Sequence, residues 1–254
     1  MASQRFTGRV AYITGAASGV GRATAQQLAT EGARVFAVDL NEDGLKESVD
    51  TIRSSGGTAE SAIANVADMK SVRASVDAAL KAFGQLDVLV NAAGAGRTAR
   101  FEEIEEEEWH RVIGVNLHGT FNTTKATIEH LLAQPGGNIV NVASIAAMRG
   151  QAYNSHYCAS KAGLLNFTRS IAVEFASRGL RANCICPGGI KTPFIRNFIP
   201  RDDFEKNIVA YYSPPIPHQL CEPGDVAKLI AFVASDDAKF MNGAALVSDG
   251  GTLA

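Results

Sequence analysis

The chain has 254 residues, 24 lysines and arginines against 26 aspartates and glutamates, and 46% hydrophobic residues, the balance of a globular protein with a sizeable core and one domain by default. A formal net charge of −2 leaves no basic excess to neutralise phosphates, so neither nucleic acid nor an anionic membrane is an expected partner. No run approaches the length of a membrane span, and Met1 to Arg9 carries no apolar signal region, so a cytoplasmic location is expected.

Short runs rich in Val, Ile and Ala alternate with longer amphipathic stretches, the pattern of a parallel sheet whose strands are joined by crossover helices. Seven strands are predicted: Val10 to Thr14, Val35 to Asp39, Ala59 to Val66, Leu86 to Asn91, Asn138 to Ala143, Arg181 to Cys186 and Ala244 to Ser248. Several are nearly continuous apolar runs, as expected where both faces of a sheet are covered. The clearest helices are Gly19 to Thr30 and Ser155 to Ser177, whose apolar residues recur at helical spacing. The expected fold is therefore a doubly wound Rossmann-type α/β sheet in one domain spanning 1–254. No repeat or linker divides it.

Between the first strand and the first helix stands Thr14-Gly15-Ala16-Ala17-Ser18-Gly19-Val20-Gly21. Glycine lets the backbone turn tightly and approach a pyrophosphate without a Cβ, and free N–H groups at the helix start supply donors and partial positive charge. Asp39 ends the next strand 18 residues after Gly21, close to the spacing of an acid that binds an adenosine ribose. Leu40 follows it and the loop before Gly19 reads Ala16-Ala17-Ser18, so no cation there is placed to pair a 2′-phosphate, while Arg22 after the loop is expected to point along the helix.

The acidic run from Glu102 to Glu108 is expected to form the solvated first turns of a helix, its carboxylates complementing the dipole. The five histidines show no metal-ligand spacing, and no metal site is expected. Cys158, Cys184, Cys186 and Cys221 are scattered and read as small buried hydrophobes. The segment from Gly188 to Pro223, broken by six prolines, is expected to be an irregular substrate lid.

The spacing Gly-x-x-x-Gly-x-Gly resembles that of the short-chain dehydrogenase/reductase family, and further motifs in order extend the resemblance from Val10 to Gly251. They are Asn91-Ala92-Ala93-Gly94, Asn116 within Val115-Asn116-Leu117, Ser144, Tyr157-Cys158-Ala159-Ser160-Lys161, and Pro187-Gly188-Gly189-Ile190-Lys191-Thr192. Two positions depart from the family pattern: Asn65 stands where an Asp is usual near the adenine, and Ala92 replaces a second Asn. The resemblance implies a nicotinamide dinucleotide as cofactor, and the Asp39 carboxylate, which would repel a 2′-phosphate, makes NAD the expected one. The resemblance places Gly15, Ser18, Gly19, Val20 and Gly21 at the pyrophosphate and ribose, Asp39 and Leu40 at the adenosine ribose, and Asn65 and Val66 at the adenine. It places Asn91, Ala92 and Gly94 along the adenosine ribose, and Pro187, Gly188, Ile190 and Thr192 at the nicotinamide. A homotetramer is the family's common assembly.

By the same resemblance Tyr157 exchanges the proton with the substrate oxygen, Ser144 hydrogen-bonds that oxygen, Lys161 also holds the nicotinamide ribose, and Asn116 supports a water-linked relay to the lysine. Tyr157 and Lys161 are four apart in a helical stretch, so their side chains share one face. A phenol of ordinary pKa is only about 0.1% ionised at pH 7. An ammonium about 5 Å away at an effective dielectric of about 20 contributes on the order of 3 kcal/mol, about two pKa units, toward the phenolate. The expected activity is hydride exchange between NAD(H) and an apolar secondary alcohol or ketone, with Phe194, Ile195, Phe198, Ile199, Tyr211, Tyr212, Ala146, Ala147 and Met148 as candidate substrate lining. Alternatives left open are an NADPH-dependent 3-oxoacyl reductase, against which Asp39 argues, a lyase or isomerase using NAD transiently, a non-catalytic nicotinamide-binding sensor, and, from Arg97, Arg149 and Arg196, a carboxylate or coenzyme-linked substrate.

Overall fold

The computed structural model describes residues 4–210 and 220–254. Its strands are β1 (Val10–Thr14), β2 (Arg34–Asp39), β3 (Thr58–Ile63), β4 (Val88–Asn91), β5 (Asn138–Val142), β6 (Arg181–Pro187) and β7 (Ala245–Ser248). They form one sheet in the order β3-β2-β1-β4-β5-β6-β7, parallel throughout. The crossover helices are α1 (Gly19–Thr30), α2 (Glu42–Ser54), α3 (Met69–Phe83), α4 (Glu106–Ile113), α5 (Gly119–Leu132), α6 (Ser155–Glu174), α7 (Lys206–Ala210) and α8 (Pro223–Ala234).

Strand periodicity sorts the core into two layers, because alternate side chains leave opposite faces of a sheet. Ala11, Ile13, Val35, Ala37, Val88 and Val90 face α1, α2 and α8 through Leu28, Leu45, Ile52 and Ile230. Val10, Tyr12, Phe36, Val38 and Leu89 face the opposite way, where Val72, Val76, Ile128, Leu131 and Ala172 meet them. Both faces are thereby removed from water, as a parallel sheet requires. Strand order reverses between β1 and β4, and the crevice beyond the carboxyl ends of strands at such a switch point is where an open α/β sheet binds its ligand.

The strand boundaries differ from the sequence expectation where side chains capture backbone groups. β3 stops at Ile63 instead of Val66, because Asn65 Oδ1 accepts the N–H of Ala67 and the Asn65 N–H turns to Ser71 Oγ. α6 ends at Glu174, followed by a 3₁₀ turn at Ala176–Arg178 and Gly179 at φ 80°. The described part of the lid is more ordered than expected: Pro193–Phe198 is a 3₁₀ turn, Lys206–Ala210 is helical, and Ile190 bridges Cys221. Tyr211 and Tyr212 lie outside the described residues.

The acidic run is not uniformly solvated. Glu103 forms an ion pair with Arg201 of the lid, and Glu108, its side chain only 13% exposed, is held by Arg97 and Arg111. Of the cysteines only Cys184 and Cys186 are buried; Cys158 and Cys221 are partly exposed. Among the described residues no helix is long and apolar enough to cross a membrane.

Candidate active site

The glycine loop is shaped by backbone packing. Gly15 has φ 68°, and a Cβ there would lie 2.7 Å from the Ala92 carbonyl; one on Gly21 would overlap the Gly15 carbonyl oxygen. Neither position can carry a side chain, since one loop passes directly over the next. Thr14 Oγ1 fastens them by accepting the N–H groups of both Ala92 and Ala93 at 3.2 Å. Ser18 precedes α1 with extended backbone and no side-chain cap, and the N–H groups of the first turn, from Gly19 to Gly21, have no acceptor within the helix. These features form an open cradle for an anion, and they fit a dinucleotide pyrophosphate. Val20 is packed against the core, so its contribution to the cradle is backbone.

Asp39 is fixed at the end of β2: one carboxylate oxygen accepts Ala17 N–H at 3.1 Å, the other Asn41 N–H at 3.0 Å. Leu40 projects outward and is 64% exposed. Asn65 is exposed beyond β3, while Val66 is buried, with its carbonyl accepting from Asn122 Nδ2. The Asn91 side chain is buried, donating to Asn141 Oδ1 and accepting from Thr123 Oγ1, so what it offers a ligand is backbone. Ala92 backs Gly15, and a Cβ on Gly94 would lie 3.9 Å from Lys161 Nζ, which puts that glycine beside the lysine.

Asn116 stands on a single π-helical turn, Gly114–His118, between α4 and α5. Such turns redirect one side chain out of the helical register and recur at functional sites. The fully buried Asn116 side chain clamps Ala95, accepting its N–H at 2.7 Å and donating to its carbonyl at 2.8 Å, and it donates also to Ser160 Oγ.

Ser144 follows β5 and accepts the N–H of Ala146 at 3.1 Å. Its side chain stands beside the Tyr157 phenol and favours the ionised form of that group. Lys161 Nζ lies 5.7 Å from the Tyr157 ring centroid and donates to the Val142 carbonyl at 2.8 Å. The expected lowering of the tyrosine is absent here. Burial pushes the Tyr157 phenol up to about 12, and burial pushes the Lys161 ammonium down to about 8. Both groups have left water, and that loss of solvation, not the mutual attraction that sequence spacing suggested, sets the direction of both shifts. In this state the phenol is protonated, ready to donate.

Pro187 to Thr192 continue from β6. Gly188 packs against Asp249, Ile190 against the core, and Thr192 against Gly19, which brings the end of this loop over the start of α1. Next, Phe198 meets the Tyr157 ring edge-on at 4.9 Å and Phe194 lies 5.1 Å from Phe198. Gly96 makes that possible, because a Cβ there would lie 2.7 Å from both rings. The sequence reading missed Thr14, Gly96 and Asn141. Thr14 could have been found from its place beside Gly15; Gly96 and Asn141 act only through contacts distant in sequence.

The profile of the family described as enoyl-(acyl carrier protein) reductase matches residues 15–252. Cis-4-hydroxycyclohexanecarboxylate dehydrogenase of Sinomonas cyclohexanicum is 42% identical, covering 99% of both chains. The chain is a member of the short-chain dehydrogenase/reductase family. Cyclohexanol dehydrogenase of an Acinetobacter species is 40% identical over 98% of this chain and 96% of its own. The crystal structure of 3-ketoacyl-(acyl-carrier-protein) reductase from Brucella melitensis complexed with NADH superposes with a TM-score of 0.87 at 32% identity, covering 97% of this chain and 99% of that one. Family membership makes this chain an oxidoreductase acting on CH–OH groups with a nicotinamide cofactor, and the cradle, Asp39 and the Ser144–Tyr157–Lys161 cluster accord with that role.

Proposed function

We propose that this chain is an NAD(H)-dependent dehydrogenase that interconverts an apolar, alicyclic secondary alcohol and its ketone. The observation that carries the reading is Ser144 beside Tyr157 beneath Phe194 and Phe198: a polar proton-transfer point facing an aromatic wall. Such a wall gains affinity by burying hydrocarbon at about 0.8 kcal/mol per CH2. The names of the Sinomonas and Acinetobacter relatives, both dehydrogenases of cyclohexane alcohols, support a six-membered ring. NAD is favoured by the Asp39 carboxylate, which repels a 2′-phosphate and accepts from a free ribose diol.

In this reading the bound nicotinamide supplies the hydride acceptor or donor. The chain supplies the rest. Ser144 Oγ orients the substrate oxygen, and Tyr157 Oη gives or takes its proton. Lys161, with its ammonium near half titration at mildly alkaline pH, favours the phenolate when the proton must leave. Asn116 holds Ala95 and thereby the wall of the pocket.

The deciding experiment follows nicotinamide absorbance with NAD and a series of cyclohexanols, linear secondary alcohols and polyols. A kcat/KM that rises several-fold per added methylene, with rings ahead of polyols, is expected; equal turnover of polyols overturns the apolar pocket. A 3-oxoacyl thioester reductase is the second reading, favoured by the Brucella structure; higher kcat/KM for such a thioester than for any cyclic ketone would establish it. We also propose a cytoplasmic homotetramer, which would cover exposed apolar side chains such as Phe121, Val173 and Phe240; sedimentation as a monomer overturns the assembly.

A further inference from the structure

His156 immediately precedes Tyr157 on α6, is completely buried, and has no hydrogen bond at either ring nitrogen. A buried polar side chain without partners is costly, and a native structure that keeps one invites a functional account. The charged groups facing it are Glu108 and Arg111 of α4 and Arg97 of the loop between β4 and α4. Glu108 Oε1 stands 3.8 Å from His156 Nε2, too long for a hydrogen bond. That carboxylate is already engaged. It accepts from Arg111 at 2.8 and 2.9 Å and pairs with Arg97 at 3.3 Å.

Arg97 belongs to the segment that touches the reactive tyrosine. Ala95 is clamped on its N–H and its carbonyl by Asn116, Gly96 lies flat against the Tyr157 ring, and Arg97 is pegged by Glu108. Three consecutive residues are thus fixed from three directions, and the last peg is the carboxylate that His156 faces.

We propose that neutral His156, with Glu108, is a positioning residue that keeps the Ala95–Gly96–Arg97 segment seated on Tyr157, and that protonation of His156 unseats it and switches the site off on the acid side. A proton on the imidazole would set three cations around one carboxylate in a poorly solvated place. The imidazolium is drawn to Glu108, and Arg97, which holds that carboxylate only by a 3.3 Å ion pair while Arg111 is bound through two hydrogen bonds, is the member that leaves for water. Gly96 moves with it. Burial already pushes the imidazole down from its ordinary value, so the enzyme keeps the neutral form through physiological pH.

The inference rests on Tyr157 being the proton-transfer residue, so its test separates the two. Histidine and tyrosine ring resonances of the whole protein are followed through an acid titration, in wild type and in Glu108→Gln. His156 should titrate below the ordinary histidine range, lower still in Glu108→Gln, and the Tyr157 ring should shift with the same midpoint. No turnover is needed for that measurement: coupled titration in a protein that oxidises no alcohol would sink the functional reading alone, whereas an uncoupled Tyr157 sinks this one. In turnover, kcat/KM normalised to its own plateau should fall about tenfold per pH unit below the His156 midpoint. His156→Asn, which takes no proton in this range, should lose that limb; an unchanged limb overturns the proposal. Should His156→Asn not fold, a wild-type limb that misses the resonance midpoint overturns it equally.

Discussion

The carboxylate of Asp39, at the tip of β2, accepts the backbone N–H of Ala17 at 3.1 Å, tying the glycine loop to a residue 22 positions away. The acid is thereby held in place before any ligand arrives, with its second oxygen committed to Asn41 N–H. A 2′-phosphate about 5 Å from it would meet about 3 kcal/mol of repulsion at an effective dielectric of about 20, roughly a hundredfold in affinity. Direct titration should therefore find NAD bound far more tightly than NADP, and Asp39→Asn should shrink the difference below about tenfold, since the amide keeps the shape and loses the charge. Equal binding of the two cofactors by the wild type would refute the assignment.

Tyr157→Phe keeps the ring that Phe198 and Gly96 pack against and removes only the hydroxyl beside Ser144. Turnover should fall by about 100- to 10,000-fold, the usual loss on removing a general acid or base, with NAD binding little changed. Lys161→Ala should damage both turnover and cofactor affinity. Steady-state kinetics alongside calorimetric titration of NAD would separate these effects.

Gly96→Ala adds one carbon where the Tyr157 and Phe198 rings leave none. Displacing the tyrosine by even about 1 Å from its working position costs on the order of a hundredfold in rate. The variant should lose kcat/KM for the alcohol while its NAD affinity stays within about twofold, because the glycine loop is untouched. A comparable loss of cofactor binding would show that the loop from Ala95 to Arg97 does more than shape the substrate pocket.

The buried Tyr157 and Lys161 also give the stability of the unliganded protein a distinctive alkaline course. Lys161 falls from 10.5 to about 8 on folding, so between those values the unfolded chain binds more protons and stability rises with pH. Tyr157 rises from 10 to about 12, so its contribution is complete below 10 and is lost as pH climbs toward 12. Thermal unfolding of wild type against Lys161→Met should show the variant more stable by about 1–3 kcal/mol at neutral pH, the advantage vanishing above about pH 10. Unchanged pH dependence in the variant would mean that the lysine is solvated.

Much of this protein could be read along the chain because its information is local. Short, nearly continuous runs of Val, Ile and Ala marked the strands, and the glycine spacing between β1 and α1 marked the cradle, since a turn's backbone geometry depends on residues within it. Asp39, Tyr157 and Lys161 were legible through spacing, which puts the acid at a strand end and two side chains on one helical face. Tertiary structure decided what depends on solvent and on contacts between distant segments. It buried Asn91 against Asn141 and Thr123, ended β3 early at the Asn65 turn, and ordered the start of the lid against Tyr157. It also reversed the expected direction for the tyrosine, because the cost of leaving water is set by everything that surrounds a group, and a four-residue spacing holds no record of that. The largely buried Glu108 and His156, which lacks a hydrogen bond, belong to the same class: a run of glutamates and a lone histidine in sequence, and one electrostatic cluster only when α4 lies across the start of α6.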